Sequence, residues 1–255
     1  MSTLLVASRS SEPHNAGWSP IGRLEFDHGT YRFVYTQGAK TAKGFTPFSG
    51  MESLTDIYES TELFPIFANR LLSKSRPEYE AFLQWSGFDP ANPPDPLAIL
   101  GVTEGIRRTD LIEVFPCPAP DERGCYLNKF FVHGLRYMSE AARTRVLALK
   151  PEEPLYPLLD VCNLSDPSAV ALRTEADERL MLGYIPRYLA QDAWKLFQHC
   201  HPDFIRIFVH RVNHAAPLQQ RLLCRMHACW PEGFKPCSGE AFQPIPAAVP
   251  SLCTA

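Results

Sequence analysis

Three segments between residues 130 and 190 decide how the second half of the chain folds: FFVHGLRY at 130–137, NLSDPSAVAL at 163–172 and LGYIPRYLA at 182–190. The first and third begin as apolar strands, and the second places a turn rich in Asn, Ser, Asp and Pro before a further strand. In the third segment a strand passes directly into a helix opened by Pro186. This close succession of short strands, a turn and a helix predicts a small, strand-rich domain.

The sequence on either side supplies the rest of this domain. Ser139 is a good N-cap for a helix that runs to Lys150, and Pro151 stops it. Apolar runs predict about six strands, at 130–136, 155–159, 169–173, 180–185, 204–209 and 220–229. Six strands with two helices indicate an OB-like small β-barrel, an architecture that often binds single-stranded nucleic acid.

The strand predicted at 220–229 has two different faces. One face carries Arg221, Leu223, Arg225, His227 and Cys229, and the other carries Leu222, Cys224, Met226 and Ala228. The first face is either a solvated basic surface on an outer strand or the wall of a groove for a nucleic-acid backbone. The residues alone leave both interpretations open.

The three opening segments together resemble the HIRAN domain, a small β-barrel that captures the 3′ end of single-stranded DNA. The resemblance covers residues 129 to about 236. It implies that Arg136 holds a backbone phosphate and that Tyr137 offers its ring to a base. A tyrosine ring stacks on any base, and each such contact contributes about 1 to 3 kcal/mol without reading sequence.

The resemblance also assigns roles in the other two segments. Asn163 and Asp166 match the turn of the family, and Asp166 is the expected acceptor for the terminal 3′-hydroxyl, since a carboxylate accepts from a hydroxyl but repels a phosphate. From the residues alone, the same segment is also ordinary turn chemistry. Gly183, Tyr184 and Arg187 lie where the strand meets the helix, whose first N–H groups and arginine suit a phosphate.

The first half of the chain has its own pattern. Alternating residues on either side of Asp27, His28 and Gly29 predict a β-hairpin over 22–35. Residues 54–73 are expected to be helical in two pieces, and a further helix is expected over 77–87.

This first half resembles the N-terminal subdomain of HipA-type toxin kinases. The resemblance lies in GRL at 22–24, RFVY at 32–35, LFPIFANRLLS at 63–73 and ILGVTEGIRRTD at 99–110. The motifs of a kinase body do not follow it in this sequence, so the resemblance implies a docking role and no kinase activity.

Charge differs between the two halves. Residues 1–125 carry 11 Lys and Arg against 16 Asp and Glu, whereas residues 126–255 carry 14 against 12. The second half is therefore the better electrostatic partner for phosphates. The net charge of −3 argues against a protein that coats long stretches of nucleic acid.

Breaks in composition suggest the domain limits. We expect a flexible tail at 1–17, a HipA-N-like docking domain at 18–118, a linker at 119–126, a HIRAN-like domain at 127–238 and a Pro/Ala-rich tail at 239–255. The predicted fold class is α+β: a HIRAN/OB-like small barrel with two helices, preceded by a small α+β domain.

The sequence offers little for catalysis or cofactors. Cys200, His201, Cys224, His227 and Cys229 suggest zinc by type, but a C-x-x-C pair is missing and strand geometry points Cys224 away from His227. We therefore expect no metal and no cofactor. We also find no nucleophile with a base, no paired-carboxylate motif and no P-loop, and expect a protein that is not an enzyme.

The sequence thus predicts a cytoplasmic DNA-binding protein that recognises single-stranded 3′-OH ends through Arg136, Tyr137, Asn163, Asp166, Gly183, Tyr184, Arg187, Arg221 and Arg225. Its expected partners are single-stranded DNA with a free 3′ end and a helicase, nuclease or multi-subunit defence complex contacted through the first domain. One alternative is an assembly subunit that binds protein or guide RNA without end recognition. The other is a nuclease whose site the sequence does not reveal.

Overall fold

The structure is a computed structural model that describes residues 2–10, 17–107, 109–175 and 179–246. The chain divides into two compact units, and both are discontinuous in sequence. The first unit consists of Met1–Arg76, Pro94–Cys117 and Lys235–Ala255, and the second of Pro77–Pro93 and Pro118–Phe234. Each unit combines helices with one antiparallel sheet, so the general α+β class is confirmed.

The first unit is built on a five-stranded sheet. Its elements are β1 (Ser2–Arg9), β2 (Trp18–Asp27), β3 (Thr30–Tyr35), β4 (Tyr58–Ser60), α1 (Pro65–Ala68), α3 (Pro96–Thr103) and β5 (Ile112–Pro116), in the strand order β4-β3-β2-β1-β5. The predicted hairpin is confirmed, because β2 and β3 pair through a turn at His28 and Gly29 whose φ angles are 47° and 81°. Two positive φ angles at the turn suit the twist of the strands.

The predicted tail at 1–17 is wrong for residues 2–9. These residues form β1, which lies between β2 and β5 and pairs with both. Leu4, Val6 and Ala7 are buried, so the short apolar run near the start of the chain supplies core side chains. The other part of that prediction, residues 11–16, lies outside the described residues.

The predicted tail at 239–255 also differs where it is described. Ile245 donates its amide to the Tyr35 carbonyl at 2.9 Å, and Gln37 donates to the Gln243 carbonyl at 2.8 Å. The ring of Phe242 lies 6.1 Å from that of Trp18. Residues 235–246 therefore pack in the first unit, and 247–255 lie outside the described residues.

The prediction of two helical pieces at 54–73 is only partly correct. Residues Tyr58–Ser60 form the edge strand β4, since they pair with β3, and only Pro65–Ala68 form a helix, α1. Arg70 follows α1 with its buried guanidinium bonded to the carbonyl of Gly105 at 2.9 Å and to Asp110 at 2.7 Å. This arginine ties α1 to the segment before β5.

The second unit is built on a six-stranded antiparallel sheet. Its elements are α2 (Tyr79–Trp85), β6 (Cys125–Phe131), α4 (Glu140–Ala148), β7 (Pro154–Leu159), β8 (Val170–Arg173), β9 (Met181–Tyr184), α5 (Arg187–His199), β10 (Arg206–Val212) and β11 (Leu222–Cys229), in the strand order β6-β11-β10-β7-β8-β9. The two helices of this half and five of its predicted strands are confirmed, but the strand predicted at 130–136 lies earlier, at Cys125–Phe131, because the chain turns at Gly134. The Ser139 cap is also confirmed, since its Oγ accepts from the Ala142 amide at 3.1 Å.

The sheet curls until its two edges meet. His133, just beyond β6, and Tyr184, at the end of β9, exchange two backbone hydrogen bonds of 2.9 Å. The bridge joins the first and last strands of the sheet order. The curled sheet places the end of β6 and the end of β9 side by side.

The domain limits also need correction. The helix predicted over 77–87 is confirmed as α2, but it belongs to the second unit rather than to a domain at 18–118. Asn213 donates from its side chain to the Trp85 carbonyl at 2.9 Å, which ties α2 to the end of β10. The predicted linker at 119–126 overlaps β6, which begins at Cys125.

No helix within the described ranges combines the length and the apolar character needed to cross a membrane.

Candidate functional site

The meeting of β9 with the end of β6 depends on Gly183. Its φ is 144°, and a Cβ on it would lie 2.4 Å from the carbonyl oxygen of His133 and 2.6 Å from Cγ1 of Val132. Real Cβ atoms do not approach a carbonyl oxygen so closely. Glycine is therefore required for β9 to bridge to β6, and Gly183 acts through backbone geometry.

Tyr184 connects the end of β6 to the loop between β7 and β8. A Cβ built on Gly134 would lie 3.3 Å from the ring of Tyr184, and the hydroxyl at the other end of that ring donates to Asp160 Oδ2 at 3.0 Å. Burial, followed by the bond to Asp160, raises the pKa of the Tyr184 phenol. The phenol therefore stays neutral and remains a donor at ordinary pH.

The segment NLSDPSA folds as a turn held by its own side chains. Asn163 Oδ1 accepts from the amides of Ser165 and Asp166, each at 3.0 Å, and Asn163 Nδ2 donates to Asp160 Oδ2 at 3.1 Å. Asp166 Oδ1 accepts from the Ser168 amide at 2.9 Å. The alternative of ordinary turn chemistry is thus realised, and Asn163 is committed to structure.

Asp166 retains capacity for a ligand. Within the described residues, no hydrogen bond reaches its Oδ2 atom, which lies 3.9 Å from Arg187 Nε. The Asp166 side chain is 18% exposed and that of Arg187 is 35% exposed. The turn and the start of α5 therefore present a carboxylate and a guanidinium side by side at the surface. We call Tyr184, Asp160, Asn163, Asp166 and Arg187 the loop cluster.

Arg136 and Tyr137 lie in a 3-10 turn over Leu135–Tyr137 rather than at the end of a strand. Gly134, with φ of 77°, turns the chain there. The Arg136 guanidinium lies 4.5 Å from the Tyr137 ring centroid and is hydrogen-bonded to its hydroxyl. Tyr137 is 72% exposed, which is unusual for a large aromatic side chain.

Backbone connectivity places this pair beside the loop cluster. Arg136 follows His133 by three residues, and His133 is bridged to Tyr184. The structure thus joins the predicted residues Asn163, Asp166, Gly183, Tyr184 and Arg187 through direct contacts, and the His133–Tyr184 bridge brings the backbone of the turn that carries Arg136 and Tyr137 to the end of β9.

Arg221 and Arg225 do not share the face predicted for them. Arg221 precedes β11, and its guanidinium folds back to donate to the carbonyl of Ala216 at 2.6 Å. Arg225 lies within β11 and is ion-paired with Glu152. Leu223, predicted on the exposed face, is fully buried because Gly87 packs against it. The opposite face is confirmed, since Leu222, Cys224, Met226 and Ala228 are all buried.

Sequence reasoning missed Asp160 and Arg143. Asp160 receives hydrogen bonds from both Tyr184 and Asn163, and Arg143 of α4 reaches the Arg136 carbonyl at 3.4 Å. A carboxylate immediately after the strand LYPLL was the available signal for Asp160. Arg143 gave none, because a charged residue at an exposed position of a helix is ordinary.

The cysteines do not form a metal centre in the described part of the chain, where no three His, Cys, Asp or Glu side chains come together to hold an ion. Burial raises the pKa of the Cys224 thiol, and the same cause, followed by the neighbouring Cys229, raises that of Cys200 to about 12. Both thiols therefore remain protonated.

Comparison with known proteins adds little. No protein-family model matches the chain, and no curated protein matches it. Among solved structures, a crystal structure of a protein from Lactobacillus plantarum is similar, with a TM-score of 0.31 and 21% identity, over 41% of this chain and 96% of that one.

Proposed function

We propose that the second unit binds single-stranded DNA at an end that carries a free 3′-hydroxyl, in the manner of a HIRAN-like domain, and that the protein is a targeting subunit rather than an enzyme. The observation that carries the proposal is the pairing of Asp166 with Arg187 at the start of α5, just after the strand β9 that bridges to the segment leading into the exposed Tyr137. A cation and an anion are paired at the start of α5, and a cation and an exposed aromatic ring are paired in the turn after the His133–Tyr184 bridge.

The paired charges suit a terminal nucleotide. Such a nucleotide has a phosphodiester on its 5′ side and a hydroxyl on its 3′ side. Arg187, on the first turn of α5, supplies a charge-assisted contact to the phosphodiester, together with backbone N–H groups of that turn. Asp166 Oδ2 accepts from the hydroxyl, and its charge repels a strand that ends in phosphate.

The Arg136 and Tyr137 pair suits the next base. The tyrosine ring is exposed on a short turn, and the guanidinium beside it restricts where the ring points. Stacking of a base on such a ring contributes about 1 to 3 kcal/mol and is indifferent to sequence. The site would therefore recognise an end and not a base sequence.

The first unit would serve the protein client. We propose that it docks a helicase, a nuclease or a multi-subunit defence complex, following its likeness to the HipA N-terminal subdomain. A stoichiometric partner captured equally well by the Arg136→Gln/Tyr137→Ala variant, combined with absence of end binding, would instead favour an assembly subunit that binds protein or guide RNA.

Fluorescence anisotropy tests end recognition. We would compare a labelled single strand ending in 3′-hydroxyl with the same strand ending in 3′-phosphate, for the wild type and for Asp166→Asn. The wild type should prefer the hydroxyl by about tenfold, the scale of one hydrogen bond to a charged group. The Asp166→Asn variant keeps an oxygen that can accept from the Ser168 amide but loses the negative charge. The preference for the 3′-hydroxyl end over the 3′-phosphate end should therefore become smaller, mainly because the variant binds the phosphate end more tightly.

Asp56→Asn is the matched control, since Asp56 is an exposed aspartate of the first unit. It should leave the preference unchanged. Equal binding of the two ends by the wild-type protein would reject end recognition.

A further inference from the structure

The outward face of three strands carries a second group of cations, which we call the basic strip: Lys129, Arg206, Arg225 and His227, with Phe208 among them. The register aligns them in two rows. Lys129, Arg225 and Phe208 are direct neighbours across β6, β11 and β10, and Leu127, His227 and Arg206 form the next row. The rows are about 6.6 Å apart, because side chains two residues apart share a face.

The alternation of burial shows that this face points outward. On β6, Tyr126, Asn128 and Phe130 are buried, whereas Lys129 is half-buried and Leu127 is 48% exposed. On β11 the same alternation leaves Arg225 half-buried and His227 exposed. The basic strip is therefore a solvated sheet surface, with its cations held on regular strands.

Positive charge on this face is crowded. Arg211 on β10 adds a cation, and the carboxylate of Glu152 is paired with Arg225. Burial, followed by Arg225, lowers the pKa of Lys129. Burial, followed by Lys129, Arg225 and Arg211, lowers the pKa of His210 against the opposing effect of Glu152. Neighbouring cations repel one another, and an anion that binds among them reduces this repulsion.

An aromatic ring lies among the cations. Phe208 is half-buried, and the Arg225 guanidinium lies 5.6 Å from its ring centroid. Surfaces that bind single strands without sequence preference combine a cationic track with aromatic rings in this way. A carboxylate-rich protein partner would match the charge but would make no particular use of the ring.

The basic strip is separate from the loop cluster. Between them lies the row of Phe131 and Leu223, which is buried, with Gly87 packed against Leu223. His133, the residue bridged to Tyr184, lies four positions after Lys129, just beyond the end of β6. Four steps of extended chain span about 13 Å. A bound strand must therefore extend beyond its terminal nucleotides to reach the basic strip.

We propose that the basic strip is a second, sequence-independent site for the sugar-phosphate backbone of single-stranded DNA, and that it holds the part of the strand that leads away from the captured end. Its continuity with the end site rests on the function proposed above. Its binding of backbone phosphates does not.

The test is affinity against strand length and salt. The wild type should bind a strand of about twelve nucleotides more tightly than one of about four. Lys129, Arg206 and Arg225 should add about three phosphate contacts, each making the slope of log affinity against log salt steeper by about 0.7. The longer strand should thus show a slope near −4, and the short one near −2.

The Lys129→Gln/Arg225→Gln variant should lose about tenfold in affinity for the longer strand at low salt, and its slope should become shallower by about 1.4. Binding of the short strand should not change. Lys74→Gln/Arg76→Gln removes the same charges from exposed positions of the first unit and should have no effect on either strand. Thermal unfolding would verify that each variant is folded.

The Glu152→Gln variant should increase affinity for DNA, a result that misfolding cannot produce. It removes the carboxylate paired with Arg225, at a position 62% exposed, and should tighten binding of the longer strand. The proposal is overturned if the folded Lys129→Gln/Arg225→Gln variant binds the longer strand with wild-type affinity and slope. A third outcome separates the two proposals. If the wild type binds the longer strand more tightly, the Lys129→Gln/Arg225→Gln variant does not, and the wild type binds 3′-hydroxyl and 3′-phosphate ends equally, then the basic strip is supported and end recognition is rejected.

Discussion

At the scale of single residues, Tyr184 organises the loop cluster. Its ring reaches from Gly134 to Asp160, so it fixes the β7–β8 loop with respect to the end of β6. Asp160 in turn holds Asn163, whose side chain orders the turn that contains Asp166. The position of Asp166 in its loop therefore depends on the hydroxyl of Tyr184, which lies on β9.

Tyr184→Phe should loosen this arrangement without opening a cavity. Loss of one partly buried hydrogen bond should lower the free energy of unfolding by about 1 kcal/mol in urea denaturation. The preference for a 3′-hydroxyl over a 3′-phosphate should narrow as well, because the turn bearing Asp166 is less fixed. Tyr156→Phe is the control, as its hydroxyl makes an exposed bond of 3.3 Å to Glu175. Equal stability of the two variants would contradict the role of Tyr184.

Local sequence located part of this site and missed the rest. Asn163, Asp166 and Pro167 signal a turn through chemistry that acts over a few residues, so the sequence reveals it. The bond from Tyr184 to Asp160 spans 24 positions in the chain and follows from the strand order. A pattern with period two or 3.6 carries no information about such a contact.

At the scale of elements, the curled sheet closes where β9 meets the end of β6. The closure brings together segments that are some fifty residues apart and that carry the predicted recognition residues. The strands of this unit were predictable because each has its own apolar pattern. Arg136 was misplaced at a strand end because β6 already ends at Phe131, and Gly134, with positive φ, then leads the chain into the 3-10 turn that carries Arg136.

Gly183→Ala should break this closure. The added methyl would meet the His133 carbonyl at 2.4 Å, so β9 must move, and the cost should be about 3 kcal/mol or more. Hydrogen exchange at the amides of His133 and Tyr184 should accelerate more than at the β10–β11 pairs. Gly233→Ala is matched for positive φ but has open space around its Cβ, so it should cost only about 1 to 2 kcal/mol. Retained protection of both amides in Gly183→Ala would show that the bridge tolerates a side chain.

At the scale of the whole molecule, the two units interrupt each other in sequence. Composition suggested a boundary near residue 118, because the proline-rich stretch and the change of charge fall there. The chain does pass from the first unit to the second at residue 118. However, Pro77–Pro93 belongs to the second unit, and Lys235–Ala255 belongs to the first. Composition indicates which short stretches of the chain are exposed to solvent. It does not indicate to which unit a stretch belongs, because that depends on contacts between distant residues, such as Asn213 with Trp85, which lie 128 positions apart.

A fragment of residues 118–234 should therefore be less stable than the complete second unit. Without Pro77–Pro93 it exposes Leu223, which Gly87 covers, and leaves Asn213 and Arg211 without the carbonyls of Trp85 and Gln84. Exposure of one leucine side chain alone costs about 2 kcal/mol. The comparison is a chain in which a Gly/Ser linker joins Pro93 to Pro118, which restores α2. The fragment should unfold at lower urea concentration and bind a hydrophobic dye, and a separate 77–93 peptide should partly reverse both effects. Identical urea midpoints would mean that the core of the second unit does not need α2.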